Sequence, residues 1–330
     1  MKRFALLISP RAKSAYFNDY LEVAKAELAW LFPDLAVEHL KIAQMDFLLL
    51  SVAEDCLPAL ARLSCVYGIF EQKGEQEDGQ LLPLAVTTDF DLNEDFVFGS
   101  KFKGKTNETL TQMLMNVGLA SIEYDDISKV KLLDPMCGRA TTLLWGMRYG
   151  ISGKGIEQES KALADIEQNV KKWCKVHKQK HHFKDGFVGG SSGKQSKSKS
   201  KSKQGKNKFI DFSANDATMR IITGDSVDTA SLLKSDKFDL IISDIPYGIQ
   251  HFTTSKTRNP LAVLEECAKG WSEVLKNKGV IVLAFNSYIP KRVELIAAFC
   301  RHNLEALEFS APHRMSESIV RDVVVFKKVS

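Results

Sequence analysis

Hydrophobic and polar positions fall into two regimes along the chain. Up to about residue 75, short apolar runs surround two helical stretches. Residues 3–8 read as a strand. Residues 14–32 place Phe17, Leu21, Ala24, Leu28 and Leu31 on one helical stripe that Pro33 closes. Strand-like runs follow near 36–42 and 46–52, then a short helix at 54–63 and a strand at 65–71. The order βαββαβ is the split pattern of a ferredoxin-like α+β domain. Residues 74–79 are polar and turn-rich, which suits a boundary.

From about residue 110 helices and strands alternate. Helices are predicted at 107–119, 140–149 and 159–176, and strands at 130–133, 152–156, 218–222, 238–243 and 279–285. Leu264, Ala268, Trp271 and Leu275 mark the face of a further helix. Such alternation predicts a Rossmann-like α/β fold with a doubly wound parallel sheet. Residues 304–310 and 320–327 read as two strands with no helix between them, an antiparallel pair at the sheet edge. The expected organisation is a ferredoxin-like domain at 1–75, a linker at 76–95 and an α/β domain at 96–330. Within the last, residues 184–208 are rich in Lys, Ser and Gly and read as a disordered insertion.

Composition sharpens this picture. At 44% hydrophobic residues over 330 positions, the chain has ample core material, so whole-chain disorder is excluded. The formal net charge of +4 suggests a mildly basic protein, but residues 171–208 alone carry +12 and the remainder carries −8. Basicity is therefore a property of one segment, either a solvated spacer or an arm that touches phosphates. The six cysteines show no CxxC pair, so a reduced, cytoplasmic protein is expected. The apolar start is too short for a signal peptide, and no run is long enough for a membrane span. Cys174, His177, His181 and His182 lack a second ligand cluster, and no metal site is expected.

Four runs carry candidate chemistry. The first, DPMCGRATT at 134–142, leaves a strand and enters a helix, where a cofactor lies in a doubly wound sheet. It matches neither GxGxxG nor a phosphate loop, and an ordinary tight turn is its plain alternative. The second puts Glu157 at the end of the next strand, placed to accept hydrogen bonds from ribose hydroxyls. The third, Gly224, Asp225 and Ser226, offers an acid for an adenine amino group or an N-cap for a helix. The fourth, SDIPYG at 243–248, presents Asp244, the Ile245 carbonyl, the rigid Pro246 and the aromatic Tyr247 together at a strand end. Two acceptors can hold one amino group while Tyr247 stacks on the ring that bears it.

In this order the runs resemble a class I S-adenosylmethionine-dependent methyltransferase. DPMCGRATT and DIPYG are similar to the DPxCGxGT and [DN]PPY motifs of amino-group methyltransferases. The run FGSKFKGKTNET at 98–109 is similar to the segment preceding the first motif in tRNA guanine-N2 methyltransferases. The ferredoxin-like front also resembles that of THUMP-containing RNA methyltransferases. The resemblance implies S-adenosylmethionine as cofactor, held by Thr106, Asn107, Asp134, Met136, Cys137, Gly138, Glu157, Asp225 and Ser226. It implies methylation of a base amino group in RNA, chiefly guanine N2 in tRNA, with Asp244, Ile245, Pro246 and Tyr247 at the reacting base. Lys101, Lys103 and Lys105 are the expected phosphate contacts, and His313, Arg314 and Arg321 either approach substrate or cover the last strands. Two positions depart from the family pattern. Ala140 stands where Gly is usual, which is costly if its φ must be positive. Ile245 stands where Pro is usual and keeps the carbonyl. A DNA or protein-glutamine methyltransferase is an alternative, and so is a non-catalytic RNA-binding protein with a decayed site.

Overall fold

The computed structural model describes residues 1–74, 79–188, 207–246, 260–316 and 319–329. Strands β1 (Lys2–Ile8), β2 (Glu38–Ile42), β3 (Met45–Val52), β4 (Val66–Lys73) and β5 (Gln80–Leu84) form an antiparallel sheet in the order β2-β3-β1-β4-β5. Its first four strands have the ferredoxin-like connectivity expected from the apolar pattern. The fifth strand corrects the expected boundary at residue 75. It lies inside the expected linker and extends the first sheet to Leu84. It is an edge strand, and Pro83 is tolerated there because an edge leaves N–H positions unused. The single helix expected over 14–32 is two, Pro10–Tyr16 and Tyr20–Leu31, broken where Phe17 takes a φ of 48°.

The second sheet holds β6 (Lys131–Asp134), β7 (Ser152–Glu157), β8 (His181–Phe187), β9 (Lys208–Ala214), β10 (Ala217–Thr223), β11 (Phe238–Asp244), β12 (Leu275–Asn286), β13 (Leu304–Leu307), β14 (His313–Ser316) and β15 (Ile319–Lys328). Its order is β13-β15-β12-β11-β6-β7-β10-β9-β8, with β14 beside β15. The central strands β12, β11, β6, β7 and β10 are parallel. Both flanks are antiparallel: β13 and β15 on one side, β8 and β9 on the other. The insertion expected at 184–208 is thereby corrected at both ends. Residues 184–187 belong to β8 and Lys208 opens β9, so the segment joins two paired strands rather than a helix and a strand. Residues 189–206 lie outside the described residues.

Two apolar layers cover the large sheet. One contains Leu133, Ile241, Trp271, Phe285 and Phe299. The other contains Leu132, Val282 and the helix Glu108–Ser121, and runs without interruption into Phe4, Leu6 and Leu28 of the first unit. That helix is buried from Thr109 to Leu119, and a side chain at Gly118 would meet Leu240 at 2.7 Å. Across the junction, the buried Glu27 carboxylate accepts from Asn116 at 2.7 Å and from the Ser64 hydroxyl at 2.6 Å. Burial raises the Glu27 pKa, and these donors oppose the shift. Asp19 accepts the Arg314 amide at 2.7 Å, tying the first unit to β14.

Candidate active site

The chain runs from β6 outward to β7 and β10, then returns to add β11 and β12 on the other side of β6. The strand order therefore reverses between β6 and β11, and ligands of doubly wound sheets bind outside the carboxyl ends at such a point. Asp134 ends β6 and Asp244 ends β11.

Asp134 is 2% exposed. Its Oδ1 accepts from the Ser243 hydroxyl at 2.8 Å and the Met136 amide at 3.1 Å. Burial lifts its pKa to about 6, against the hydrogen bonds from Thr142, Ser243 and Met136. The loop then turns tightly. The Cys137 amide donates to the Ile156 carbonyl at 3.0 Å, and the Ala140 amide donates to that of Cys137 at 2.7 Å. Cys137 is buried, and burial holds its thiol well above the usual range, which makes it a packing group. Gly138 has φ +52°, and a Cβ there would find nothing within 4 Å. Ala140 has φ 62°, the left-handed region where its methyl is strained, so the costly case of the sequence departure is realised.

Glu157 spans the first loop and the next. Its Oε2 accepts the Gly138 amide at 2.8 Å and its Oε1 accepts the Glu159 amide at 2.7 Å. Burial raises its pKa against these two amides. Arg139 pairs with Glu159 at 2.7 Å and Asp165 at 3.0 Å, fixing the outer side of the loop. Asp225 is half-buried and caps the turn that follows β10 by accepting the Val227 amide at 3.1 Å. Its second oxygen is not used in that cap. Ser226 is buried behind it.

At the fourth run, the Ile245 amide donates to the Ala284 carbonyl of β12 at 2.9 Å, continuing the β11–β12 pairing past Asp244. Ile245 is buried and Pro246 is half-buried. Tyr247 lies outside the described residues. The Asp244 carboxylate meets the Arg321 guanidinium, with Nη1 at 3.2 Å from Oδ2 and Nη2 paired to Oδ1. Arg321 comes from β15, two strands away, and is 1% exposed. This partner was not assigned from the sequence, where Arg321 stood only near the substrate or over the last strands.

Upstream, Asn107 caps the helix Glu108–Ser121 by accepting the Leu110 amide at 3.0 Å, and Thr106 beside it is half-buried. Lys101 and Lys103 are exposed. Lys105 differs from them. Its ammonium is turned inward onto the carbonyls of Val97 and Ser100, the latter at 2.9 Å, and onto Glu108 at 2.7 Å. An ammonium so engaged does not face a phosphate. His177 bonds Asp95 at 2.9 Å and stacks on Trp173, and His181 bonds the Gln179 carbonyl at 3.0 Å. Among the described residues no helix is long and apolar enough to cross a membrane.

These residues fit a nucleoside cofactor. Open space stands over Gly138, an acid with free lone pairs closes each of β7 and β10, and a buried carboxylate lies at the end of β6. The family profile UPF0020, described as RMKL-like, methyltransferase domain, matches residues 103–308. No curated protein matches the chain. Among solved structures, TrmN from Thermus thermophilus is similar over 99% of this chain and 100% of its own, with 10% identity and a TM-score of 0.49. The N-methyltransferase NodS from Bradyrhizobium japonicum WM9 is similar over 67% of this chain and 95% of its own, with 11% identity and a TM-score of 0.41. A methyltransferase from Pyrococcus furiosus covers 72% and 93%, with 12% identity and a TM-score of 0.42.

Proposed function

The chain belongs to the RMKL-like methyltransferase family, and on that premise we propose that this S-adenosylmethionine-dependent enzyme methylates an exocyclic amino group of an RNA base, specifically guanine N2 in tRNA. The observation that carries the reading is the juxtaposition of the Asp244 turn and the Asp134 loop at the switch point between β11 and β6. The RNA assignment draws on the resemblance of residues 98–109 and of the ferredoxin-like unit to tRNA guanine-N2 and THUMP-containing enzymes.

Bound S-adenosylmethionine supplies a methyl group activated on a positively charged sulfur. Thr106, Asn107, Asp134, Met136, Cys137, Gly138, Glu157, Asp225 and Ser226 hold it. Glu157 accepts from ribose hydroxyls through the lone pairs its two amide bonds leave free. Asp225 accepts from the adenine amino group. Asp134 at the end of β6 would lie towards the positively charged end of the cofactor and offset its charge.

An exocyclic amino nitrogen is a weak nucleophile because its lone pair is delocalised into the ring. The Asp244 carboxylate and the Ile245 carbonyl accept its two N–H bonds and fix its direction of approach. Alignment of this kind supplies a large part of the acceleration. The carboxylate also stabilises positive charge as it develops on nitrogen. The nitrogen would take the methyl as the S–C bond breaks and the sulfonium leaves as a neutral thioether, and would then release one proton to water. Pro246 stiffens the turn, and Tyr247 stacks on the base drawn from its neighbours. Lys101 and Lys103 contact the backbone phosphates.

Nucleoside mass spectrometry of tRNA from a strain lacking the gene tests this. N2-methylguanosine falls, and an unchanged nucleoside profile overturns the reading.

A further inference from the structure

We propose that Arg321 is a positioning residue for methyl transfer: its guanidinium holds the Asp244 carboxylate anionic and in one orientation, so that the carboxylate accepts N–H bonds from the incoming amino group without taking its proton. The inference rests on the reading of Asp244 as the amine acceptor.

Register explains how the pair arises. Asp244 ends β11 opposite Ala284 of β12, and Arg321 of β15 lies opposite Asn286, two residues further along β12. The arginine therefore reaches over the end of β12 to the end of β11. Its two terminal nitrogens address the two carboxylate oxygens separately. One nitrogen makes a hydrogen bond and the other an ion pair, and a planar guanidinium engaging both oxygens constrains a carboxylate more than a single ammonium does. Each oxygen retains a second lone pair, so acceptor capacity is left for an amine.

The surroundings call for such a partner. The Asp244 side chain is only 12% exposed, so its carboxylate is held largely away from water and needs a partner for its charge. A protonated Asp244 would offer a donor where the amine needs an acceptor. Arg321 itself is fully buried, and burial lowers its pKa to about 10, which leaves it charged at neutral pH. Among the described residues, two further groups stand near the guanidinium. The Met315 sulfur of β14 stands 3.6 Å from Nη1, and Tyr16 of the first unit stands behind, packed edge-on against His313 at 4.9 Å. Burial lowers the His313 pKa. Asp322 does not compete, because its carboxylate is taken by Arg292, Ser310 and the Ala311 amide. A buried Arg–Asp pair adds little net stability over well-packed apolar residues, so packing alone does not account for it.

The test is single-turnover transfer of labelled methyl to bulk RNA from about pH 5 to 9, for the native protein, Arg321→Met and Arg321→Lys. Calorimetric binding of S-adenosylmethionine reports that each is folded. Arg321→Met loses on the order of 100-fold in rate at neutral pH, and the acidic limb of its profile moves up by about one unit or more. Arg321→Lys restores most of the limb position and part of the rate. A loss equal at every pH, or no loss, overturns the proposal. If Arg321→Met does not fold, the lysine variant decides: it loses about tenfold, more at acidic pH, and a native profile overturns the proposal. The 13C carboxyl resonance of Asp244, assigned by its loss in Asp244→Asn, is titrated in parallel. Its midpoint rises in both variants, and an unmoved midpoint also overturns the proposal. Because that titration needs no RNA, a shifted midpoint alongside a native protein that methylates no RNA locates the failure in the substrate reading instead.

Discussion

The Gly138 amide donates to the Glu157 carboxylate at 2.8 Å, so the loop after β6 and the end of β7 form one rigid cradle. Glu157→Gln keeps the shape and removes the charge that strengthens these bonds. We expect S-adenosylmethionine affinity to fall about tenfold, and about 100-fold in Glu157→Ala, by calorimetry. Equal affinity in Glu157→Ala would remove Glu157 from the cofactor site.

Asp134 makes the protein sensitive to pH. Its folded pKa is raised to about 6, so the buried group binds protons more tightly than it does in the unfolded chain. Its contribution to stability is full below the unfolded value near 4 and is lost as pH rises through about 6. The change is worth ~2 kcal/mol between pH 4 and 7. Urea unfolding at both pH values shows this slope in the native protein and a flatter one in Asp134→Asn. Cofactor affinity runs the other way, strengthening as the carboxylate ionises beside a cation.

Ala140 sits at φ 62°. Ala140→Gly relieves ~1 kcal/mol of left-handed strain but adds freedom to the unfolded chain and removes a buried methyl. The expected net change in unfolding free energy is within about 1 kcal/mol. Ala140→Val puts a branched side chain in the same backbone and should destabilise by more than about 2 kcal/mol. Thermal melts distinguish these outcomes.

The lysines upstream separate by role. Lys105→Met strands the Val97 and Ser100 carbonyls and should lower stability by ~2 kcal/mol while leaving the salt dependence of RNA binding unchanged. Lys101→Ala and Lys103→Ala should leave stability unchanged and each reduce the salt slope by about one. Filter binding at several salt concentrations reads both.

Much of the fold was legible because apolar runs mark β11 and the second half of β12, and the longer helices repeat with their own period. A parallel, doubly wound sheet followed from alternation, and the ends of β6, β7, β10 and β11 were found by their acids. What escaped had local reasons. β5 is a half-exposed edge that carries Pro83, and β8 alternates with lysine and glycine, so both read as connecting chain. Lys105 looked like its neighbours because its inward turn depends on the carbonyls of Val97 and Ser100, which no spacing marks. Arg321 is 77 residues from Asp244, and only the antiparallel return of β15 brings the two together.

The central claim is that the Asp244 turn presents an RNA amino group for methylation. Its most direct measurement is transfer of tritiated methyl from S-adenosylmethionine to purified tRNA, followed by nucleoside identification, with native protein and Asp244→Ala. The account predicts N2-methylguanosine from the native protein, a rate lower by at least about 1,000-fold in Asp244→Ala, and cofactor affinity within about threefold of native. Undiminished transfer by Asp244→Ala, or label on carbon or ribose oxygen, would contradict it.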